Sequence, residues 1–106
     1  MLTGLIRYPE EELYPYMKDV INDTLASGER LFLSHFTGST HHPWGTPKNF
    51  GTEDYFPQGN NHARHGDLNA FLNTVRYVDK WLGQMLQLLE ETGIANETLM
   101  VFVGDQ

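Results

Sequence analysis

With 106 residues the chain has room for one small domain at most, and a chain of that size buries a smaller share of its surface than a full-sized α/β domain does. Hydrophobic residues at 40% and charged residues at 20% exclude a disordered tail, while a net charge of −7 with only seven scattered Lys and Arg argues against a nucleic-acid binder. There is no cysteine, which removes a disulfide framework, a thiolate zinc site and a Cys nucleophile together.

The first predicted element is a helix over residues 9–26. Pro9 suits a first turn, Glu10, Glu11 and Glu12 place negative charge at the positive end of the helix dipole, and Gly28 closes the helix. Leu13, Met17, Val20, Ile21 and Leu25 fall near helical spacing, and Pro15 is early enough to be tolerated or to delay the start. Residues 30–36, Arg-Leu-Phe-Leu-Ser-His-Phe, form a short apolar run that predicts a strand.

Residues 37–66 read as a loop. They hold three prolines, several glycines and four of the five histidines, with Trp44, Phe50, Tyr55 and Phe56 interspersed. Loops of such length are uncommon inside compact domains and are usually functional or disordered; the aromatics argue for order. From Asp67, a plausible N-cap, Leu68, Phe71, Leu72, Val75, Val78, Leu82, Met85 and Leu89 recur at threes and fours, the strongest periodic signal in the chain. Gly93 suits the position after this helix, and Gly83 in its interior suggests close packing against a sheet. A tight turn at Asn96-Glu97-Thr98 then leads into a second apolar run, Leu99-Met-Val-Phe-Val103, with the composition of a strand covered on both faces.

Strand, loop, helix and strand predict a βαβ unit with a right-handed crossover, preceded by a helix. In a parallel pair, the residues after Phe36 and those at Gly104-Asp105 leave on the same edge of the sheet, where ligands gather. His41, His42 and Asp105 could therefore converge. Imidazole can grip an anionic oxygen when protonated or a metal when neutral, and Pro43 would stiffen the turn that presents the pair. The competing reading is that adjacent histidines in a polar loop are simply solvated. His62 and His65 form a weaker pair for a metal. Asp105 could equally end a strand because Asp favours turns, and Asp79 reads as a helix-face residue. Tyr77 and Trp81 read as core. No Ser or Thr sits in a recognisable nucleophile elbow, and there is no glycine-rich phosphate loop. Two glycosylation sequons, at Asn22 and Asn96, would suit a secretory route; the opening residues are too short an apolar stretch for a signal peptide, and no run approaches a membrane span.

Taken in order, Leu31-Phe-Leu-Ser-His-Phe36, Thr40-His41-His42-Pro43, Val75-Arg-Tyr-Val-Asp79-Lys-Trp-Leu-Gly83, Gly93-Ile-Ala-Asn-Glu-Thr-Leu99 and Val101-Phe-Val-Gly-Asp105 resemble the middle of a sulfatase of the alkaline phosphatase superfamily. The resemblance spans residues 30–106 and implies an α/β fold, a partial parallel-sheet βαβ unit of an alkaline phosphatase-like sandwich. It implies a hydrolase of sulfate esters, a sulfuric ester hydrolase, with His41 contacting the sulfate group and His42 in the variable position of the turn. It also implies a divalent cation, usually Ca2+, with Asp105 as a ligand. The family continues with His or Asn and then Gly, where this chain has Gln106; its amide oxygen, one methylene further out than that of Asn, could ligate calcium.

The family's first metal-binding aspartates and its nucleophile motif, whose Cys or Ser is oxidised to formylglycine, precede this region and are absent here. Hydrolysis is therefore not expected from this chain alone, which is read as an incomplete domain. The implied compartment is secretory, lysosomal-type or membrane-attached. One rival reading is a phosphoryl or phosphoglycerol transferase of the same superfamily, which a Thr nucleophile would favour. Another is a non-enzymatic metal-binding or interaction module, in which the histidine-rich loop captures a metal and the helix docks on a partner.

Overall fold

A computed structural model of the chain describes residues 9–56 and 62–104, with backbone alone at residues 62–65. Two helices organise it. A 3₁₀ turn at Glu10–Leu13 runs into α1, Tyr14–Ser27, and after a long irregular segment comes α2, His62–Glu91. Short 3₁₀ turns at Lys48–Phe50 and Ala95–Glu97 complete the regular structure of the described residues.

Local chemistry explains the boundaries. Pro15 occupies the first turn of α1, where its missing N–H interrupts no helical hydrogen bond, and the turn ahead of it is the tighter 3₁₀ form. Gly28 ends α1 in the left-handed region at φ 71°. At the end of α2, Ile94 N–H donates to Leu89 O and Gly93 N–H to Glu90 O, while Gly93 takes φ 81°. These two bonds form a Schellman closure, which satisfies carbonyls the helix would otherwise leave open.

The core is small. Met17 and Ile21 from α1 pack with Trp81 and Leu88 from α2, flanked by Leu13, Tyr14, Leu82, Met85, Leu89 and Ile94. Fully burying a side chain such as Ile21 or Leu88 contributes about 1.5–3 kcal/mol, so a handful of residues carries most of the hydrophobic stabilisation. The buried line on α2 runs through Thr74, Tyr77, Trp81 and Leu88, about one position N-terminal of the predicted stripe. Val75 and Leu68, both in that stripe, are exposed. Aromatic bulk at Tyr77 and Trp81 turns the helix, because those rings offer the most area to bury.

No strand forms among the described residues, so the α/β fold with a parallel-sheet βαβ unit is not what this chain adopts. Residues 30–36 and 98–104 are irregular, and their large apolar side chains are exposed, Phe32 at 93% and Val103 at 84%. β-propensity describes fit to a pleated, half-buried surface, and neither run finds a neighbour to supply one. The loop is also shorter than expected, since α2 begins at His62 and Asp67 lies inside the helix instead of capping it. Gly83 is not a close-packing site: a Cβ placed there would meet nothing within 4 Å.

Candidate functional site

The histidine turn is built from two consecutive tight turns. His41 N–H donates to Gly38 O at 3.1 Å, and Trp44 N–H donates to His41 O at 3.1 Å. Trp44 adopts φ 60°, a left-handed conformation that a bulky residue seldom takes without support from its surroundings. Its indole provides that support, donating from Nε1 to Thr40 O at 3.0 Å while the ring meets His42 at 4.9 Å and Phe71 of α2 at 6.2 Å. The His42-Pro43 peptide is cis. His41 and His42 both lie exposed at the tip.

The His41 ring has a defined polarity. Its Nδ1 lies 2.9 Å from His42 O, and a carbonyl oxygen can only accept, so Nδ1 carries the hydrogen. A protonated imidazole in this arrangement offers an N–H at Nε2 to an anionic oxygen while Nδ1 keeps its orientation.

Upstream, the turn is anchored by a buried carboxylate. Glu10 is 2% exposed, and its Oε1 accepts from Gly38 N–H at 2.8 Å and from Ser39 N–H at 3.1 Å, while Ser39 Oγ donates to Oε2. Adjacent backbone N–H groups with a hydroxyl make an anion cradle, and here an internal carboxylate fills it. From the sequence, Glu10 belonged with Glu11 and Glu12 as a charge on the helix dipole; the structure gives it a separate partner. The signal available in the sequence was weak, a Gly-Ser pair just ahead of the histidines.

The anchor is fixed in turn to α2. Glu11 N–H donates to the Tyr77 hydroxyl at 3.1 Å. Burial pushes the Tyr77 phenol pKa up, with the Glu11 backbone hydrogen bond opposing the shift, so this hydroxyl stays protonated. His35 packs its ring against Trp81 at 5.7 Å, with its Nε2 buried and lacking a hydrogen-bond partner. Burial lowers the His35 pKa, and the charge of Glu10 pulls it back up.

Downstream, α2 holds the segment after the turn with amide side chains. Asn73 accepts from Glu53 N–H at 2.9 Å and donates to Glu53 O at 2.9 Å, and Asn69 pairs with Tyr55 N–H and Glu53 O. Arg76 donates to Gly51 O at 2.8 Å and lies 4.1 Å over the Phe50 ring. Asn69, Asn73 and Arg76 share one helix face by their spacing, so a ladder-like grip on extended backbone comes from side chains alone.

The predicted metal ligands Asp105 and Gln106 lie outside the described residues, as do the side chains of His62 and His65. The expected route to convergence of His41, His42 and Asp105, a shared sheet edge, is not present, because the two apolar runs do not pair. Among the described residues no three of His, Asp and Glu come together as a metal-ligand set, so the cation implied by resemblance finds no fitting donor set there. Nor, among them, is any helix long and apolar enough to cross a membrane. An open depression of about 280 Å³ lined by Glu90, Gly93, Ala95 and Asn96 involves none of the predicted site residues.

Comparison with known families supplies the class. The family model for sulfatases matches residues 3–106, and the chain belongs to the sulfatase family. No curated protein and no solved structure matches significantly. The match reaches upstream of residue 30, so it includes α1 and the Glu10 anchor as well as the segment whose motifs carried the resemblance.

Proposed function

We propose that this chain is part of a hydrolase of sulfate esters and that His41 is its contact to the sulfate group. The observation that carries the proposal is the double turn of residues 38–44, which presents an exposed imidazole whose Nδ1–H is already committed to His42 O. Nε2 then acts on an oxyanion with the ring orientation fixed in advance. His42, edge-on to Trp44, lines the same tip. Membership in the sulfatase family supports sulfate esters as the substrate class.

Asp105 and Gln106 are proposed as ligands to a divalent cation, Ca2+ in the first instance; when bound, such an ion neutralises charge on the group being transferred. The chain contains no Cys and no recognisable nucleophile motif, so alone it is proposed to hold the sulfate group without cleaving the ester.

Titrating the labelled chain with inorganic sulfate, with an aryl sulfate assay alongside, tests the reading. His41 imidazole signals are expected to shift with sulfate, the shift is expected to vanish in His41→Ala, and turnover is expected to be absent. A His41 signal indifferent to sulfate would sink the assignment. Aryl sulfate turnover surviving in both His41→Ala and Asp105→Ala would show that the chemistry resides elsewhere. A response to phosphate without one to sulfate would favour a transferase of phosphoryl groups.

A further inference from the structure

We propose that Glu10 is a positioning residue for the histidine turn: its buried carboxylate, acting through Gly38 and Ser39, sets the geometry in which His41 meets an anionic oxygen. The proposal rests on the reading of His41 as the sulfate contact, but concerns a residue well away from the turn in sequence.

Burying a carboxylate is unfavourable unless hydrogen bonds replace its water, and in Glu10 all three donors in reach belong to Gly38 and Ser39. The carboxylate therefore has one place to go. The donors in turn lead directly to the histidines. Gly38, whose N–H is held by Glu10, supplies the carbonyl that accepts from His41 N–H. His41 O then accepts from Trp44 N–H, and Trp44 returns to Thr40 O through its indole. The path from Glu10 to the His41 backbone thus passes through a single residue, Gly38, and the adjacent Glu11 N–H is tied to Tyr77 on α2. A rigid helix holds the 3₁₀ turn, the 3₁₀ turn holds Gly38 and Ser39, and those hold the histidines. Hydrogen bonds to a charged acceptor are the stronger kind, which suits a support that must keep a solvent-exposed turn in one conformation.

The distinguishing readout is the state of the His41 ring, which a general loss of stability does not address. Nitrogen NMR of the labelled chain at a pH above imidazole titration reports which ring nitrogen carries hydrogen, and amide spectra report the turn. In the unaltered chain His41 is expected as the Nδ1–H form. In Glu10→Ala that preference is expected to be lost and the Thr40 to Trp44 amide signals to move, while the Trp81 and Leu88 amides stay in place. Glu10→Gln retains an oxygen for the two N–H donors and is expected to restore most of the preference. Ser39→Ala, which removes one donor at a half-buried position, is expected to produce a smaller change in the same direction. If Glu10→Ala moves only the Gly38 and Ser39 amides and leaves the His41 ring unaltered, the proposal is overturned. Should Glu10→Ala fail to fold, Glu10→Asp, which keeps the charge but draws it one methylene back from the Gly38 N–H, decides on the same signals, and an unchanged His41 there overturns it equally. Sulfate titration of the unaltered chain separates the two ideas: absent sulfate shifts reject the sulfate contact, whereas the tautomer comparison judges Glu10 by itself.

Discussion

His35 presses its ring against Trp81 with a buried Nε2 that has no hydrogen-bond partner, and burial holds its pKa below the ordinary value of 6.5. In the unfolded chain the same ring takes up a proton more readily, so lowering the pH through 6.5 favours unfolding. The stabilisation tied to neutral His35 is complete above 6.5 and diminishes as the pH falls towards the folded-state value. His35→Phe keeps a ring against Trp81 and removes the titration, so thermal unfolding between about pH 8 and pH 6 should vary less than in the unaltered chain. Equal slopes in the two proteins would show that another group sets the dependence. Gly83 makes the opposite kind of prediction. It lies exposed inside α2 with open space where a Cβ would be, so Gly83→Ala should stabilise the chain by about 0.5–1 kcal/mol in a urea titration.

At the scale of elements, the grip of α2 on residues 51–55 depends on Asn73. It is 2% exposed and bonds to both Glu53 N–H and Glu53 O. Asn73→Ala should destabilise by about 1–3 kcal/mol, because it leaves backbone polar groups without partners, while the more exposed Asn69→Ala should have the smaller effect. A reversed order in denaturant midpoints would rule out this account of the clamp. The same elements show what could be read from residue types. The long helix was legible because its apolar spacing and Gly93 both act locally, and α1 because Pro15 and Gly28 do. The exact buried face was not, since Tyr77 and Trp81 outweigh the aliphatic spacing only once a packing partner exists. Residues 30–36 and 98–104 carry strand-like composition, but a strand is completed by a neighbour that the run itself does not encode. The histidine turn was legible from Thr40-His41-His42-Pro43. Its support at Glu10 was not, because nothing in Glu10-Glu11-Glu12 distinguishes the one carboxylate that turns inward.

For the whole molecule, a radius of gyration of 16.7 Å exceeds the roughly 13 Å of a compact domain of about this length. Exposed Phe32, Phe36, Leu99, Val101, Phe102 and Val103 belong to the runs left without partners. Residues 98–103 combine high β-propensity with no charge and no proline, the composition that drives self-association through strand pairing. Light scattering should therefore rise with protein concentration, and Val101→Lys should move its onset to higher concentration. If scattering is unchanged by that substitution, the exposed C-terminal run is not the adhesive surface.

The bond from Glu11 N–H to the Tyr77 hydroxyl has a bearing on the order in which the chain acquires shape during synthesis. Glu10, Gly38 and Ser39 leave the ribosome well before Tyr77 does, so the carboxylate and its donors are available while the helix that steadies them is still missing. α1 can close on Gly28 by itself, but its companions Trp81 and Leu88 arrive later still. The histidine turn is thus written early and made rigid late. Until the middle of α2 has emerged, His41 and His42 belong to a segment whose anchor is itself unanchored, and a pause in translation before Tyr77 would hold the nascent histidines in that unsettled interval.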